Sequence, residues 1–186
     1  MTDAVQQALL PLAGQEGWTW ATLRAALAAA GEDPALVASH FPAGPVGAIA
    51  TWSAQLDAEM AAAGTAEDLL AQRIPARIRW LVAKRLALLA PHKPALRRAA
   101  AHLALPWNLA LAARLAAATA DAMWRAAGDG SADFSWYTRR LTLGGIHTAT
   151  LAFWCRDDAP ETEAALAFLD RRLAENAKLQ RLKRAA

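Results

Sequence analysis

The residues best equipped for chemistry gather at 128–140, "GDGSADFSWYTRR". Asp129, Ser131 and Asp133 stand at alternate positions, the spacing that opens a calcium-binding loop. Such a loop needs a glycine next and a glutamate at its twelfth position. Phe134 and Arg140 occupy those places, so the calcium reading fails. His40, His92, His102 and His147 show no metal-ligand spacing among themselves. Cys155 is the one cysteine; it allows no internal disulfide and reads as a buried core thiol. HExxH, GxGxxG, GxSxG and paired cysteines do not occur. Nothing here supports an enzyme, a metal or a cofactor. His147 lies in an apolar stretch, where a hydrogen-bond-satisfied core histidine is the expectation.

The elements that hold these residues are helical. Ala, Leu and Arg dominate between Gly and Pro punctuation, and no alternating β-branched run occurs. The 186 residues, 55% of them hydrophobic, suit one all-α domain or a domain with a small appendage. The pattern predicts helices over 3–14, 19–30, 34–40, 45–63, 66–74, 76–90, 93–102, 106–127, 132–155 and 160–182, with fraying after 176. Thr19 and Asp33 are N-cap candidates and Gly31 a C-cap candidate. The uncharged runs 99–113 and 141–155 are too short to cross a bilayer, which needs roughly 18 residues. Asp3 precedes any apolar run, and no basic leader region is present. The expected location is cytoplasmic, at the inner face of a bacterial membrane where contact occurs.

Two helical stripes follow from spacing. Ile78, Leu81, Val82, Leu86 and Leu89 form one; Leu111, Leu115, Ala118, Ala122 and Met123 form the other. Their small residues permit either close packing or a hollow. In the 128–140 cluster, Ser131 can cap a helix, with Asp133 in its first turn. Asp133, Trp136, Tyr137 and Arg140 then recur at spacings of three and four, as one stripe. Phe134 and Leu141 point inward. The stripe's aromatics suit an interface or the completion of the core.

Charge is unevenly spread. Residues 1–50 hold Arg24 against Asp3, Glu16, Glu32 and Asp33. Residues 71–127 are basic, with Asp121 the one acid, and the final stretch carries Lys178, Arg181, Lys183 and Arg184. The first 42 residues, three short helices ending in "VASHFPAG", resemble the helix-turn-helix head of TetR-type regulators. DNA affinity comes from Lys and Arg on phosphates. This head has one cation against four acids. Its third helix, "DPALVASHFPA", offers only His40 to a base edge, and His40 reads more simply as a helix-end packing residue. The head therefore reads as a helix-turn-helix without DNA function, and nucleic acid is not expected as a partner.

Residues 123–173, "MWRAAGDGSADFSWYTRRLTLGGIHTATLAFWCRDDAPETEAALAFLDRRL", resemble the C-terminal signature of a ubiquinone (coenzyme Q) biosynthesis family. This is the lipid-binding, TetR-like accessory protein known as the ninth Coq protein. "GWTWATLRAALAAAGEDPALVASHFPAG" fits the family's diverged head. The resemblance implies a head at 1–44, a helical lipid-binding and dimerisation bundle at 45–182 and a basic tail at 183–186. It implies a homodimer through the helices at 132–155 and 160–182, where Gly144, Gly145 and Ala149 allow close approach. It implies no catalysis. The protein would present a polyprenyl-quinone intermediate, or hold a phospholipid, for the demethoxyubiquinone hydroxylase. Asp133, Trp136 and Tyr137 would form the docking face. Arg140 would sit near the lipid, with Leu111, Met123, Leu143 and Ile146 as lipid contacts. The basic tail would give peripheral membrane contact. The alternative is a TetR-type transcription regulator sensing an apolar ligand.

Overall fold

The computed structural model describes residues 1–129, 134–156 and 161–185. Ser131 and Asp133, expected to cap and charge a helix start, lie outside them. Every regular element among the described residues is a helix, as expected of an all-α chain and consistent with a TetR-like arrangement.

α1 (Asp3–Glu16) and α2 (Trp20–Ala29) begin at threonine caps; the Thr19 hydroxyl accepts from Thr22 N at 3.1 Å. The expected helix at 34–40 is a single 3-10 turn, Pro34–Leu36, running into α3 (Val37–His40). The Asp33 carboxylate caps that turn by accepting from Ala35 N at 2.8 Å. α4 (Gly44–Ala66) outruns its expected end by three residues. The helix expected at 66–74 is absent. Asp68 takes a left-handed φ of 48°, which stops α4, and only a 3-10 turn, Leu69–Ala71, follows. Pro75 restricts what precedes it, and α5 (Ile74–Leu89) starts with that proline in its first turn. α6 (Lys93–Leu103), α7 (Leu109–Ala126), α8 (Phe134–Trp154) and α9 (Glu163–Ala185) complete the order. α9 stays helical past residue 176, where the sequence predicts fraying.

α1 packs on α2 and α6, α4 on α5 and α7, α7 on α8, and α8 on α9. Trp18 joins the first group to the second. Its ring stacks on Trp52 at 5.6 Å, and its Nε1 donates to the Ala95 carbonyl at 3.0 Å. Phe153 and Phe168 stack at 4.8 Å between α8 and α9. All five residues of the α5 stripe are buried, and Arg85 joins them. Of the α7 stripe, Met123 is buried and Leu115 and Ala122 pack against the core, while Ala118 faces outward; Thr119 and Ala120 are buried beside them. Gly144 does not serve an outer face. A Cβ there would meet the Ala116 carbonyl oxygen at 3.4 Å, so this glycine lets α8 approach α7. Gly145 does face open space.

The end of α7 shows why glycine stands at 128. Asp129 N donates to Trp124 O and Gly128 N to Arg125 O, both at 3.0 Å. These bonds close a Schellman motif, which requires a left-handed residue at Gly128; its φ is 83°. A Cβ would also lie 2.8 Å from Leu70 Cδ2. Arg77 locks the corner by donating to the carbonyls of Ala127, Gln72 and Leu70. Gly128→Ala is expected to destabilise the protein by about 1–2 kcal/mol, read as a fall in Tm on thermal unfolding. An unchanged Tm would show that the corner relaxes freely.

Candidate functional site

Between α4, α5, α6, α7 and α8 the helices enclose a cavity of about 330 Å³. That lies at the low end of the roughly 300–1,000 Å³ range of small-molecule sites. Its walls are Leu and Ala: Leu56, Leu89, Leu96, Leu115 and Leu151, with Ala99, Ala112 and Ala116 between them. Alanine leaves space that a larger side chain would fill, so the open question of packing or hollow is answered as a hollow here. One side is exposed. Ala100, Ala104 and Leu109, at the corner between α6 and α7, face Thr148 and Ala152 of α8 across the opening. Trp107 stands beside that corner, 75% exposed, in the 3-10 turn Pro106–Asn108.

The opposite end is buried and polar. Arg85 Nε donates to Asp57 Oδ1 at 2.8 Å, and its Nη2 donates to Ser53 Oγ at 3.1 Å and Thr119 Oγ1 at 3.4 Å. Thr119 Oγ1 donates to Asp57 Oδ2 at 2.9 Å. Both charges are buried, and each has the other as partner. Breaking such a pair costs about 3–5 kcal/mol. His147 completes the floor. It is 3% exposed, and its Nε2 has no hydrogen-bond partner among the described residues, so the expectation of a satisfied core histidine fails at that atom. Burial, and then the Arg85 charge, push its pKa well below the ordinary 6.5, which keeps the imidazole neutral. Cys155 also lines the cavity. Burial raises its thiol pKa against the opposite pull of Lys93 and Arg97, which suits an unreactive thiol.

None of the expected lipid contacts Arg140, Leu111, Met123, Leu143 and Ile146 lines this cavity. Met123 and Leu143 are spent in the packed core. Arg140, 6% exposed, reaches α7 instead: its Nε donates to Asp121 at 2.6 Å, and its Nη1 to Asp129 at 3.4 Å. Arg139 donates to the same Asp129 at 3.3 Å. These pairs fasten the start of α8 to the end of α7. Tyr137 is 71% exposed and Arg140 buried, so the two do not share the expected stripe. Leu141, expected inward, is 80% exposed. It stands one turn from Tyr137 because the buried face of α8 runs through Arg140, Leu143, Gly144, His147 and Thr150. Asp133 lies outside the described residues, as does the side chain of Trp136.

The residues missed from sequence are Asp57, Ser53, Thr119 and Arg85. A signal for Arg85 exists: it stands three residues after Val82 and four before Leu89, on the buried stripe of α5. A histidine whose folded pKa is lowered binds its proton better in the unfolded chain. Its contribution to stability is therefore complete above about pH 6.5 and is lost as pH falls below it. His92 shifts in the same direction, mainly through burial. Thermal unfolding between pH 7.5 and 5 is expected to show falling stability, with a shallower slope in His147→Leu. Equal slopes would place the dependence elsewhere.

Residues 109–180 match the COQ9 family. The chain is 40% identical over 96 residues to the mitochondrial ubiquinone biosynthesis protein COQ9 of Rattus norvegicus, covering 52% of this chain and 31% of that protein. The Homo sapiens protein of the same name is 38% identical over 52% of this chain and 30% of its own length. The Drosophila melanogaster protein is 28% identical over 96% of this chain and 57% of its own. The chain thus spans about a third of the mammalian relatives and just over half of the fly protein. All three are named mitochondrial, which corrects the expected cytoplasmic location at a bacterial membrane. That expectation rests on the first residues of a chain that matches only part of its relatives, and those residues do not report a compartment. A COQ9 family domain thus occupies residues 109–180, and similarity to the fly protein runs along nearly the whole of this chain.

Proposed function

We propose that this chain serves ubiquinone biosynthesis as a non-catalytic accessory protein, which holds a polyprenyl-quinone intermediate in the cavity and presents it to a hydroxylase. The observation that carries the reading is the leucine- and alanine-walled hollow, open at the α6–α7 corner. The relatives are named for ubiquinone biosynthesis, and an isoprenoid tail suits such walls. The buried charges at the floor neutralise each other and Cys155 stays a thiol, which favours holding over reacting. Trp107 and Leu109 beside the opening, both exposed, are suited to rest at a lipid surface. Tyr137 and Leu141 would form the outer patch that meets the hydroxylase.

Two experiments test this reading. Organic extraction of the purified protein followed by lipid mass spectrometry is expected to recover quinone, isoprenoid or phospholipid. Ala112→Trp, which fills the cavity, should lower that recovery about tenfold or more. A lipid-free wild-type protein would sink the carrier role. Tyr137→Ala should weaken binding to the demethoxyubiquinone hydroxylase by about tenfold or more, the scale of an aromatic anchor at an interface. Unchanged affinity in that variant would remove Tyr137 from the docking face.

A further inference from the structure

The polar floor of the cavity has a chemistry of its own, and a role for it rests on the proposed carrier function, in which the cavity holds an amphiphile. We propose that the floor is a subsite for a neutral oxygen headgroup, a phenol hydroxyl or quinone carbonyl, with His147 Nε2 as its hydrogen-bonding anchor and the tail directed to the α6–α7 corner. His147 lines the cavity, is 3% exposed and leaves Nε2 without a partner among the described residues. Buried nitrogens are nearly always hydrogen-bonded, so this covered atom has unused capacity on a residue of the cavity wall. In one tautomer it accepts from a hydroxyl; in the other it donates to a carbonyl.

Charge selects the headgroup. Arg85 is the cation of the floor, and Asp57 already matches it at 2.8 Å. Arg85 Nη2 is also engaged by Ser53 and Thr119. A carboxylate or phosphate placed there would add an uncompensated negative charge in a buried site. His147 cannot supply the counter-charge, because burial and Arg85 keep it neutral. A neutral oxygen asks for one hydrogen bond and no counter-charge. The gradient from this floor to Leu109 and Ala104 at the opening then sets the ligand head inward.

The test uses three probes of equal tail: para-nonylphenol, nonylbenzene and para-nonylbenzoate, titrated calorimetrically into the full chain. Wild type should bind the phenol about fivefold to tenfold more tightly than nonylbenzene, the yield of one buried hydrogen bond, and should bind the benzoate more weakly than the phenol. His147→Leu should keep nonylbenzene affinity and lose the phenol preference; His147→Gln should recover part of it. Nitrogen NMR of the wild-type imidazole should shift with the phenol and not with nonylbenzene. A preserved phenol preference in His147→Leu, an imidazole signal that ignores the phenol, or tightest binding of the benzoate would each overturn the subsite while leaving an apolar cavity in place. Failure of all three probes to bind wild type would overturn the cavity reading, and the subsite with it.

Discussion

Arg85 places a guanidinium inside a helical wall, and the arrangement around it depends on that group being paired. Its neighbours on the α5 stripe are Val82, Leu86 and Leu89, all buried. An unpaired guanidinium there would cost several kcal/mol. Asp57 comes from α4 to pair with it, Ser53 from the preceding turn of α4, and Thr119 from α7. Three helices are thereby fixed in register. A slide of any one by a turn would leave a charge buried without its partner. Apolar contacts alone would allow such a slide at little cost, because leucine and alanine faces repack readily. The polar knot holds helices around a space that hydrophobic burial on its own would favour closing.

A second fixed point lies at the C-terminal end of α7. Arg140 and Arg139 of α8 meet Asp121 and Asp129, and the Schellman turn at Gly128 sets where Asp129 falls. Arg77 anchors that turn from α5. The dense cluster at 128–140 is therefore in large part a joint. Its arginines and Asp129 clamp α8 onto α7, and the same clamp turns Tyr137 and Leu141 outward. Exposed pairs such as Arg79–Asp170, each about half exposed, belong to a weaker class.

Helix content and most boundaries are legible in the sequence because caps and prolines act locally. Thr19, Gly31 and Asp33 each perform the bond their type suggests. The false helix at 66–74 arises because apolar residues such as Leu69 and Leu70 look helical in composition; the left-handed backbone at Asp68 is a tertiary outcome that no pattern announces. The buried face of α5 is legible throughout, and that of α7 is legible at Leu115, Ala122 and Met123 but not at Thr119 and Ala120, since alanine gives an α7 stripe no sharp edge. Arg140 reads as a ligand contact because its partners, Asp121 and Asp129, lie 19 and 11 residues away along the chain. The floor is invisible for the same reason: Asp57 and Thr119 lie 28 and 34 residues from Arg85 and meet it only in the fold. His147 stands out in the sequence, but whether a buried histidine is satisfied is a property of its surroundings alone.

α8 joins these features into one mechanical unit. Its inner face carries His147 and Leu151 on the cavity wall, its first turns carry Arg140 into the joint with α7, and its outer face carries Tyr137 and Leu141. Tyr137 and Arg140 are three residues apart, so a force on the exposed ring is applied within one turn of a buried ion pair. Arg140 and His147 are seven apart, two turns along the same inner face. A rotation of α8 that displaced the outer patch would strain the Asp121 and Asp129 pairs and shift His147 against Arg85. The outer patch and one residue of the cavity floor thus sit on different faces of a single helix, which the Asp121 and Asp129 pairs clamp to α7.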